Sequence, residues 1–140
     1  MADTLDLDIV TPERLVVREK VEQVQIPGKN GYLGILPGHA PLVTELGVGE
    51  LSYVANGQTY RLAVAWGFAE VLPTKTTVLA ESAERGEDID VARAQQARDR
   101  AQKLLSSNDP NTDYPRALDA LARAQSRLDV AAKASQRAAA

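Results

Sequence analysis

The sequence has no cysteine and a single histidine, and these absences exclude several kinds of site. Without thiols the chain forms no disulfide and no thiolate metal site. His39 alone leaves a metal ion short of ligands, and no convergent Ser/His/Asp pattern supplies a catalytic arrangement. We therefore expect no metal site, no catalytic residue and no enzyme activity of the chain's own.

Long apolar runs and an excess of positive charge are also missing. The formal net charge of −3 over 140 residues argues against a protein that binds nucleic acid through bulk charge. The opening segment MADTLDLD is acidic and lacks the apolar run of a signal peptide, and no stretch reaches the length of a membrane-spanning helix. These features predict a cytosolic protein or one docked onto a larger assembly.

Glycine is absent from the last third of the chain. All nine glycines occur at or before Gly86, and alanine dominates from Glu87 onward. The charge changes at the same point, from a net −4 in residues 1–86 to a net +1 in residues 87–140. We therefore divide the chain into two predicted domains, residues 1–86 and residues 87–140.

The first domain has the pattern of short strands. Leu5, Leu7 and Ile9 alternate with aspartates, which is the period of a half-buried strand. Asn56-Gly57, a strong hairpin turn, separates strands expected at 48–54 and 59–65. Other strands are expected at 15–17, 24–26, 68–72 and 76–80, with turns at Pro27-Gly28 and Asn30-Gly31. This spacing predicts an antiparallel β-sandwich or flattened barrel.

The segment Gly31–Val43, GYLGILPGHAPLV, is unusually rich in glycine and proline. Glycine permits positive φ, and proline fixes φ and removes a donor. We expect a rigid, irregular turn that holds apolar side chains in fixed directions. The simpler alternative is an ordinary hairpin loop of the β-domain.

The second domain has the pattern of an antiparallel helical hairpin. Asp90 is a plausible N-cap for a helix that runs to about Leu105, with Val91, Ala94 and Ala101 among its apolar positions. The residues SSNDPNTD at 106–113 form the connection, and a second helix starts at Asp113 or Tyr114. Its apolar stripe is expected at Leu118, Leu121, Leu128 and Ala132.

Alanine supplies much of the predicted contact between the two helices. Each alanine buries little apolar area at about 25 cal/mol per Å², although its helix propensity is high. Good helices with a weak seam open without melting, so we expect the C-terminal part to be bistable.

Three motifs in a fixed order carry a resemblance to a known family. Gly31–Val43 is followed by GFAEV at 67–71 and by IDVARA at 89–94. The whole chain resembles the epsilon subunit of bacterial rotary (F-type) ATP synthases. The resemblance implies an α+β fold, with an N-terminal antiparallel β-sandwich followed by a C-terminal antiparallel two-helix hairpin.

The resemblance also implies a non-catalytic role in the central stalk. The sandwich would dock on the gamma subunit and on the rotor-ring c subunits. The hairpin would either fold against the sandwich or extend toward the alpha and beta subunits of the catalytic head, where it inhibits ATP hydrolysis. Some family members bind ATP as a regulator in the compact form, and the complex lies on the cytoplasmic face of the bacterial plasma membrane.

Several residues are candidates for contact with these partners. His39 is either a turn residue with local contacts or a contact to gamma or the ring. Tyr32 stands where many family members carry an acidic or polar residue, so an aromatic contact would replace a charged one. Leu42 lies nearby in the same motif, and Arg116 and Arg123 would meet an acidic segment of a beta subunit. Trp66, where the family pattern predicts a small residue, is either core or an interface anchor.

A nucleotide site is predicted at the start of the first helix. Arg93 and Arg100 lie seven residues apart, hence on one helix face, and two guanidinium groups fork onto phosphate oxygens. Arg93 has an alternative partner in Asp90, three residues earlier. The resemblance adds Ile89, Asp90, Ala94, Arg123 and Arg127, although Arg123 is expected to point outward. No glycine-rich phosphate loop is present, so binding would not be hydrolytic.

One alternative of a different class stays open, a free-standing β-sandwich binding module with a helical oligomerisation tail. The charge of the second helix does not by itself distinguish this module from a stalk subunit. Five cations follow Tyr114 against two aspartates, namely Arg116, Arg123, Arg127, Lys133 and Arg137. They form either a solvated face or a surface attracted to an acidic partner.

Overall fold

The computed structural model describes residues 3–139, with side chains described through Ser135, so Arg137 lies outside the described side chains. Seven strands precede two helices. The strands are β1 (Leu5–Val10), β2 (Leu15–Val21), β3 (Gln23–Gly28), β4 (Gly31–Ile35), β5 (Leu42–Ala55), β6 (Gln58–Val71) and β7 (Lys75–Arg85). A 3-10 turn, Gly86–Asp88, leads to α1 (Val91–Leu105) and α2 (Tyr114–Ala139). The predicted α+β fold, a sandwich followed by a helical hairpin, is confirmed.

The strands form one sheet in the order β2-β1-β7-β6-β5-β3-β4. Neighbouring strands are antiparallel except β1 and β7, which are parallel and far apart in sequence. Val17 of β2 and Ile35 of β4 lie at opposite ends of this order but share one buried core. A flat sheet would separate them by about 29 Å at 4.8 Å per strand, so the sheet folds over itself into two layers.

The long strands β5 and β6 form the centre of the sandwich. Their hairpin turns at Asn56-Gly57, with φ of 53° and 75°, as predicted. The separate strand expected at 68–72 is wrong, because β6 continues through it to Val71. The ladder skips Trp66 instead, and the consecutive positive φ values of Trp66 (56°) and Gly67 (118°) redirect the strand. A Cβ on Gly67 would lie against the carbonyl oxygen of Leu79.

The motif Gly31–Val43 is not one irregular turn. It comprises β4, a loop at 36–41 and the first two residues of β5. The turn expected at Pro27-Gly28 is also wrong, because both residues lie in β3 and the hairpin turns at Lys29-Asn30. Pro27 is tolerated there because the β3–β5 register is irregular between Gln25 and Gly28, where no N–H from Pro27 is required.

An aspartate caps each helix of the hairpin, and the cap at Asp90 is the one that the sequence predicts. The Asp90 carboxylate accepts a hydrogen bond from the Arg93 backbone N–H at 3.1 Å. The Asp113 carboxylate does the same for the Arg116 backbone N–H at 3.2 Å, with Pro115 in the first turn of α2. These bonds satisfy donors that a helix N-terminus otherwise leaves unpaired.

The seam between the helices is made of alanine rather than leucine. Ala94 and Ala101 of α1 are buried, as are Ala117 and Ala124 of α2. The stripe expected at Leu118, Leu121, Leu128 and Ala132 is wrong, since Leu118 is 56% exposed, Leu121 and Leu128 are half-buried and Ala132 is exposed. Val91 and Leu105 are not buried either. The alanines recur every seven residues, and only small side chains permit this close approach of two helices.

The hairpin lies folded against the sandwich through a small contact. Ala63 of β6, Ile89, and Val130 and Ala131 of α2 form a cluster separate from the main core. Gly86 also lies under α2, where an added Cβ would be 2.8 Å from the Ala134 Cβ atom. The folded-down position of α2 therefore depends on few apolar side chains.

Candidate functional site

A polar cleft lies where the end of β7, the start of α1 and the middle of α2 meet. Its volume is about 470 Å³, and its lining is formed by Glu84, Asp90, Arg93, Ala94, Gln96, Ala97, Arg100 and Arg127. The cap at Asp90 fixes where α1 begins, which places Arg93 and Arg100 on the helix face that borders the cleft. Ala94 and Ala97 leave space between them because their side chains are short.

The charges in the cleft favour an anion with several oxygens. Arg93 and Arg100 are exposed along α1, and Arg127 reaches the cleft from α2. Arg127 Nε lies 3.2 Å from a carboxylate oxygen of Glu84, in a half-exposed ion pair. Three guanidinium groups therefore face two carboxylates, and planar donors of this kind match phosphate geometry.

The structure brings together most of the predicted nucleotide residues but not all of them. Asp90, Arg93, Ala94, Arg100 and Arg127 share the cleft. Ile89 does not line it, because its side chain is buried against Val130 of α2. Arg123 is exposed and lies beside β6 with Val48 and Ala63, outside the cleft.

Three cleft residues were missed from the sequence, Glu84, Gln96 and Ala97. Glu84 is close to the end of β7, and an outward-pointing carboxylate is common at such a position. The signal that was available is its position just before Gly86, because β7 runs directly into the 3-10 turn that starts the hairpin. Gln96 lies three residues after Arg93, on the same helix face.

The predicted partner residues do not form one surface. His39 and Leu42 lie at one end of the sandwich, in or beside the loop at 36–41. The His39 ring donates from Nδ1 to the Ala40 carbonyl at 2.7 Å, and the Gly38 N–H donates to the Pro73 carbonyl at 2.8 Å. The loop is therefore held rigidly beside the turn between β6 and β7.

Tyr32 and Arg116 lie elsewhere. Tyr32 is 55% exposed on the edge strand β4, and its hydroxyl accepts a hydrogen bond from the Glu50 backbone N–H at 3.1 Å. Arg116 is exposed in the first turn of α2. Trp66 is half-buried, so its burial does not decide between a core residue and an interface anchor.

Large apolar side chains are exposed on the strands and turns near the loop at 36–41. Val43 is 67% exposed, Phe68 53% and Leu79 55%, and Phe68 is the cross-strand partner of Leu79. Leu36 and Leu72 are exposed at the same end as Leu42. An apolar surface of this kind marks an interaction site. Within residues 3–135, no group of three His, Cys, Asp or Glu residues is arranged to hold a metal ion.

Comparison with known proteins gives family matches over nearly the whole chain. Residues 4–86 match the β-sandwich domain of the ATP synthase delta/epsilon chain, and residues 87–132 match the long α-helix domain of the same chain. The ATP synthase epsilon chain of Koribacter versatilis is 66% identical over 110 residues, which cover 79% of this chain and 78% of the relative. The epsilon chain of Nitratidesulfovibrio vulgaris is 49% identical over 130 residues, 93% and 97% of the two chains.

Solved structures show the same fold. A chain of the Euglena gracilis mitochondrial ATP synthase, in a structure of OSCP, F1 and c-ring, has a TM-score of 0.79 at 21% identity, over 97% of this chain and 83% of that one. A chain from the Tetrahymena thermophila mitochondrial ATP synthase central stalk and c-ring has a TM-score of 0.54 at 13% identity, over 93% and 95%. Among residues 3–139, no helix has the length and apolar character needed to span a membrane.

The motifs, the fold and the two adjoining family matches agree from β1 to the middle of α2. The chain belongs to the ATP synthase delta/epsilon chain family, as an epsilon subunit of the F-type complex.

Proposed function

We propose that this chain is a non-catalytic part of the central stalk, in which the sandwich couples the rotor ring to the gamma subunit and the helical hairpin regulates ATP hydrolysis. The exposed leucine face of α2 is the observation that carries the regulatory part. Leu118 is exposed and Leu121 and Leu128 are half-buried, while alanines make the contact with α1. A helix whose large apolar side chains are left partly exposed is suited to a second partner.

The second partner in this proposal is the catalytic head. When α2 extends, its leucine face packs against alpha and beta subunits, and exposed cations such as Arg116 and Arg123 meet acidic residues there. The inhibited state is the extended one. The folded-down state seen here is the permissive one.

The sandwich docks by its exposed apolar surface. Val43, Phe68 and Leu79, with Leu42 and His39 at the end of the sandwich, would be covered by gamma and by the c subunits. The Tetrahymena chain of similar fold comes from a central stalk and c-ring assembly, which supports this placement. The complex would hold the chain at the cytoplasmic face of the plasma membrane.

The cleft is a regulatory ATP site in this proposal. Arg93, Arg100 and Arg127 would hold the phosphates, and binding would join α1 to α2 and so favour the folded-down state. Both carboxylates of the cleft are already engaged, Glu84 with Arg127 and Asp90 with the N-terminus of α1, so in this proposal the nucleotide is bound and released unchanged.

Deletion of residues 88–140 tests the regulatory part. We expect residues 1–87 to fold, because their core is separate from the hairpin, and to bind gamma. Reconstitution of the catalytic complex with the truncated chain should raise ATP hydrolysis relative to the full chain. Equal hydrolysis by the two complexes would rule out inhibition by the hairpin, and an unfolded circular dichroism spectrum would refute the domain boundary.

Calorimetric titration with ATP tests the cleft. Millimolar or tighter binding is expected for the full chain and weaker binding for Arg93→Ala. Arg98→Ala is a matched control, since Arg98 lies on α1 outside the cleft and pairs with Asp99. Identical isotherms for the three proteins would remove the nucleotide site. Co-elution with gamma, against self-association of the isolated chain, separates the stalk subunit from a free-standing module with an oligomerisation tail.

A further inference from the structure

Helix α2 crosses the sandwich over one row of side chains. Glu50 of β5 is the cross-strand partner of Ala63 of β6, and Ala63 is the partner of Glu84 of β7. Directly opposed residues on neighbouring strands point to the same face of a sheet. Glu50, Ala63 and Glu84 therefore form a row in which a small residue separates two carboxylates, and we refer to it as the carboxylate row.

The side of α2 that faces this row carries a matching set, with an apolar residue between two cations. Lys133 Nζ lies 3.0 Å from Oε1 of Glu50, and Arg127 Nε lies 3.2 Å from Oε1 of Glu84. Val130, halfway between these cations, is fully buried in the cluster that contains Ala63. Residues 127, 130 and 133 are spaced at three-residue intervals, so they form one stripe, which we call the cationic stripe.

The two spacings match. Six residues of helix rise about 9 Å, at 1.5 Å per residue. Two strand spacings of about 4.8 Å separate Glu50 from Glu84 by roughly 9.6 Å. The stripe therefore fits the row in a single register, because a shift by one helical turn would place a cation over Ala63 and Val130 over a carboxylate.

We propose that the carboxylate row and the cationic stripe form a charge-registered latch that sets the fraction of chains with α2 docked on the sandwich. The proposal rests on the proposed function, in which α2 leaves the sandwich. Half-exposed ion pairs are screened by salt, so docking weakens as ionic strength rises. The apolar contact of Val130 with Ala63 is insensitive to salt and keeps the latch from being purely electrostatic.

The latch is built for reversible release. Glu50 has a second cation nearby, because Arg61 Nε lies 3.5 Å from its other carboxylate oxygen. Arg61 belongs to β6 and stays in place when α2 departs, so Glu50 is not left without a counter-charge. A groove of about 470 Å³ between α2 and the edge of the sheet, lined by Tyr32, Gln125 and Asp129 among others, already admits water to this seam.

The absence of cysteine and the single tryptophan allow a clean measurement of docking. Ala132→Cys places one thiol on an exposed position of α2, where an acceptor dye receives energy from Trp66. Trp66 follows Ala65, which lies beside Ser126 of α2 in the docked state. Energy transfer in the full chain then reports the docked fraction.

Charge reversal with rescue tests the latch. In this labelled chain Lys133→Glu should lower the docking constant by about fivefold or more, and Glu50→Lys should do the same. The double variant Lys133→Glu/Glu50→Lys should return it to within about twofold of the parent. Lys103→Glu on α1, an equal charge change at an exposed site, should leave it unchanged. Circular dichroism checks that each variant is folded.

Two results would overturn the latch. One is energy transfer in the unmutated labelled chain that does not change between 0.05 and 0.5 M salt. The other is a double variant no better docked than the single ones. Both readouts use the isolated full chain, so they fail or succeed independently of hydrolysis by the assembled complex, which tests the proposed function.

Discussion

The sandwich and the helical hairpin differ most in the size of the side chains they bury. Leu7, Ile9, Leu51 and Leu62 are completely buried between the two layers of the sandwich. The helices meet through alanines, and among the larger residues of α2 up to Ser135 only Val130 is fully buried. At about 25 cal/mol per Å² of apolar area, a buried leucine contributes several times more than a buried alanine. The sandwich is therefore held firmly and the hairpin weakly.

This difference would allow one chain to combine a rigid part with the movable hairpin that we propose. Alanine has the highest helix propensity, so α2 remains a helix after it leaves its seam. The leucines of α2 are large enough to bind strongly, but in the folded-down state Leu118 is exposed and Leu121 and Leu128 are only half-buried. In our proposal the mobility of the hairpin comes from its weakly buried large side chains and not from weak helix formation.

A matched pair of leucine truncations should show the largest contrast between the two regions. Leu51→Ala removes a fully buried side chain from the sandwich and should lower the free energy of unfolding by about 2–5 kcal/mol. Leu118→Ala removes an exposed side chain from α2 and should change it by less than about 0.5 kcal/mol. Urea unfolding curves measure both values.

In the assembled enzyme the same two variants should rank in the opposite order when the regulation of ATP hydrolysis is measured. Leu118→Ala should relieve inhibition of ATP hydrolysis, because in our proposal the exposed Leu118 contacts the catalytic head in the extended state. Comparable losses of stability from the two truncations would contradict the contrast between the regions. A fully inhibited enzyme carrying Leu118→Ala would refute the role of the leucine face.

Substitution of Gly86 should loosen the hairpin without weakening the sandwich. A Cβ at this position would lie 2.8 Å from the Ala134 Cβ and 3.2 Å from the Val130 Cγ1, so α2 must shift outward. We expect Gly86→Ala to weaken docking of α2 by about 1–3 kcal/mol, the usual cost of overpacking. Energy transfer from Trp66 to the dye at position 132 measures it.

Gly34→Ala is the control for Gly86→Ala. Gly34 lies in β4 with open space around the position of an added Cβ, and its φ is not positive. It should leave docking of α2 unchanged. If docking of α2 is unchanged in Gly86→Ala, the contact at Gly86 accommodates a larger side chain than the distances in the structure allow.

The smallest expected effect is confined to the sandwich and depends on pH. Asp8 accepts hydrogen bonds from two nitrogens of Arg18, both at 3.2 Å, and Lys75 Nζ lies 3.2 Å from the same carboxylate. The hydrogen bond from Arg18 is the main cause that holds the pKa of Asp8 below its usual 3.8, against an opposing effect of burial. A lowered pKa stabilises the fold above the unfolded value, and the stabilisation is lost as the pH falls through the folded value.

Asp8→Asn should therefore lower the urea midpoint at pH 7, and the difference from the parent should shrink below about pH 4. Asp6→Asn is a control with a smaller expected effect, since the Asp6–Lys20 pair is exposed on both sides. Docking of α2 should not respond to either variant, because both lie far from its contacts. A difference at Asp8 that persists unchanged at low pH would exclude the ion pair as its cause.

Local sequence patterns predicted most helices and strands of this fold, but they did not predict the pairing of strands that are distant in sequence. The Asn56-Gly57 hairpin and the cap at Asp90 were predicted because each depends on a few adjacent residues. The parallel pairing of β1 with β7 was not found, since contacts between distant segments leave no local signal. Pro27 was taken for a turn residue, because an irregular register with β5 is not visible in the sequence.

The site was predicted in part for the same reason. Arg93 and Arg100 were placed together by helical spacing alone, and Arg127 joined them only through the resemblance. Glu84 was missed because its role depends on the packing of α2 against β7. The stripe predicted at the leucines of α2 is wrong, because a hydrophobic pattern does not reveal that the close contact with α1 is made by alanines.

Separate release of the hairpin is the central claim, and one titration tests it most directly. Urea is added to the full chain labelled at Ala132→Cys, while energy transfer from Trp66 follows docking of α2 and near-ultraviolet circular dichroism follows the stacked pair Tyr53 and Tyr60 in the sandwich. We predict two separate transitions, with energy transfer lost at lower urea while the tyrosine signal is still native. A single coincident transition for both probes would mean that the chain unfolds as one cooperative unit, and would contradict the claim.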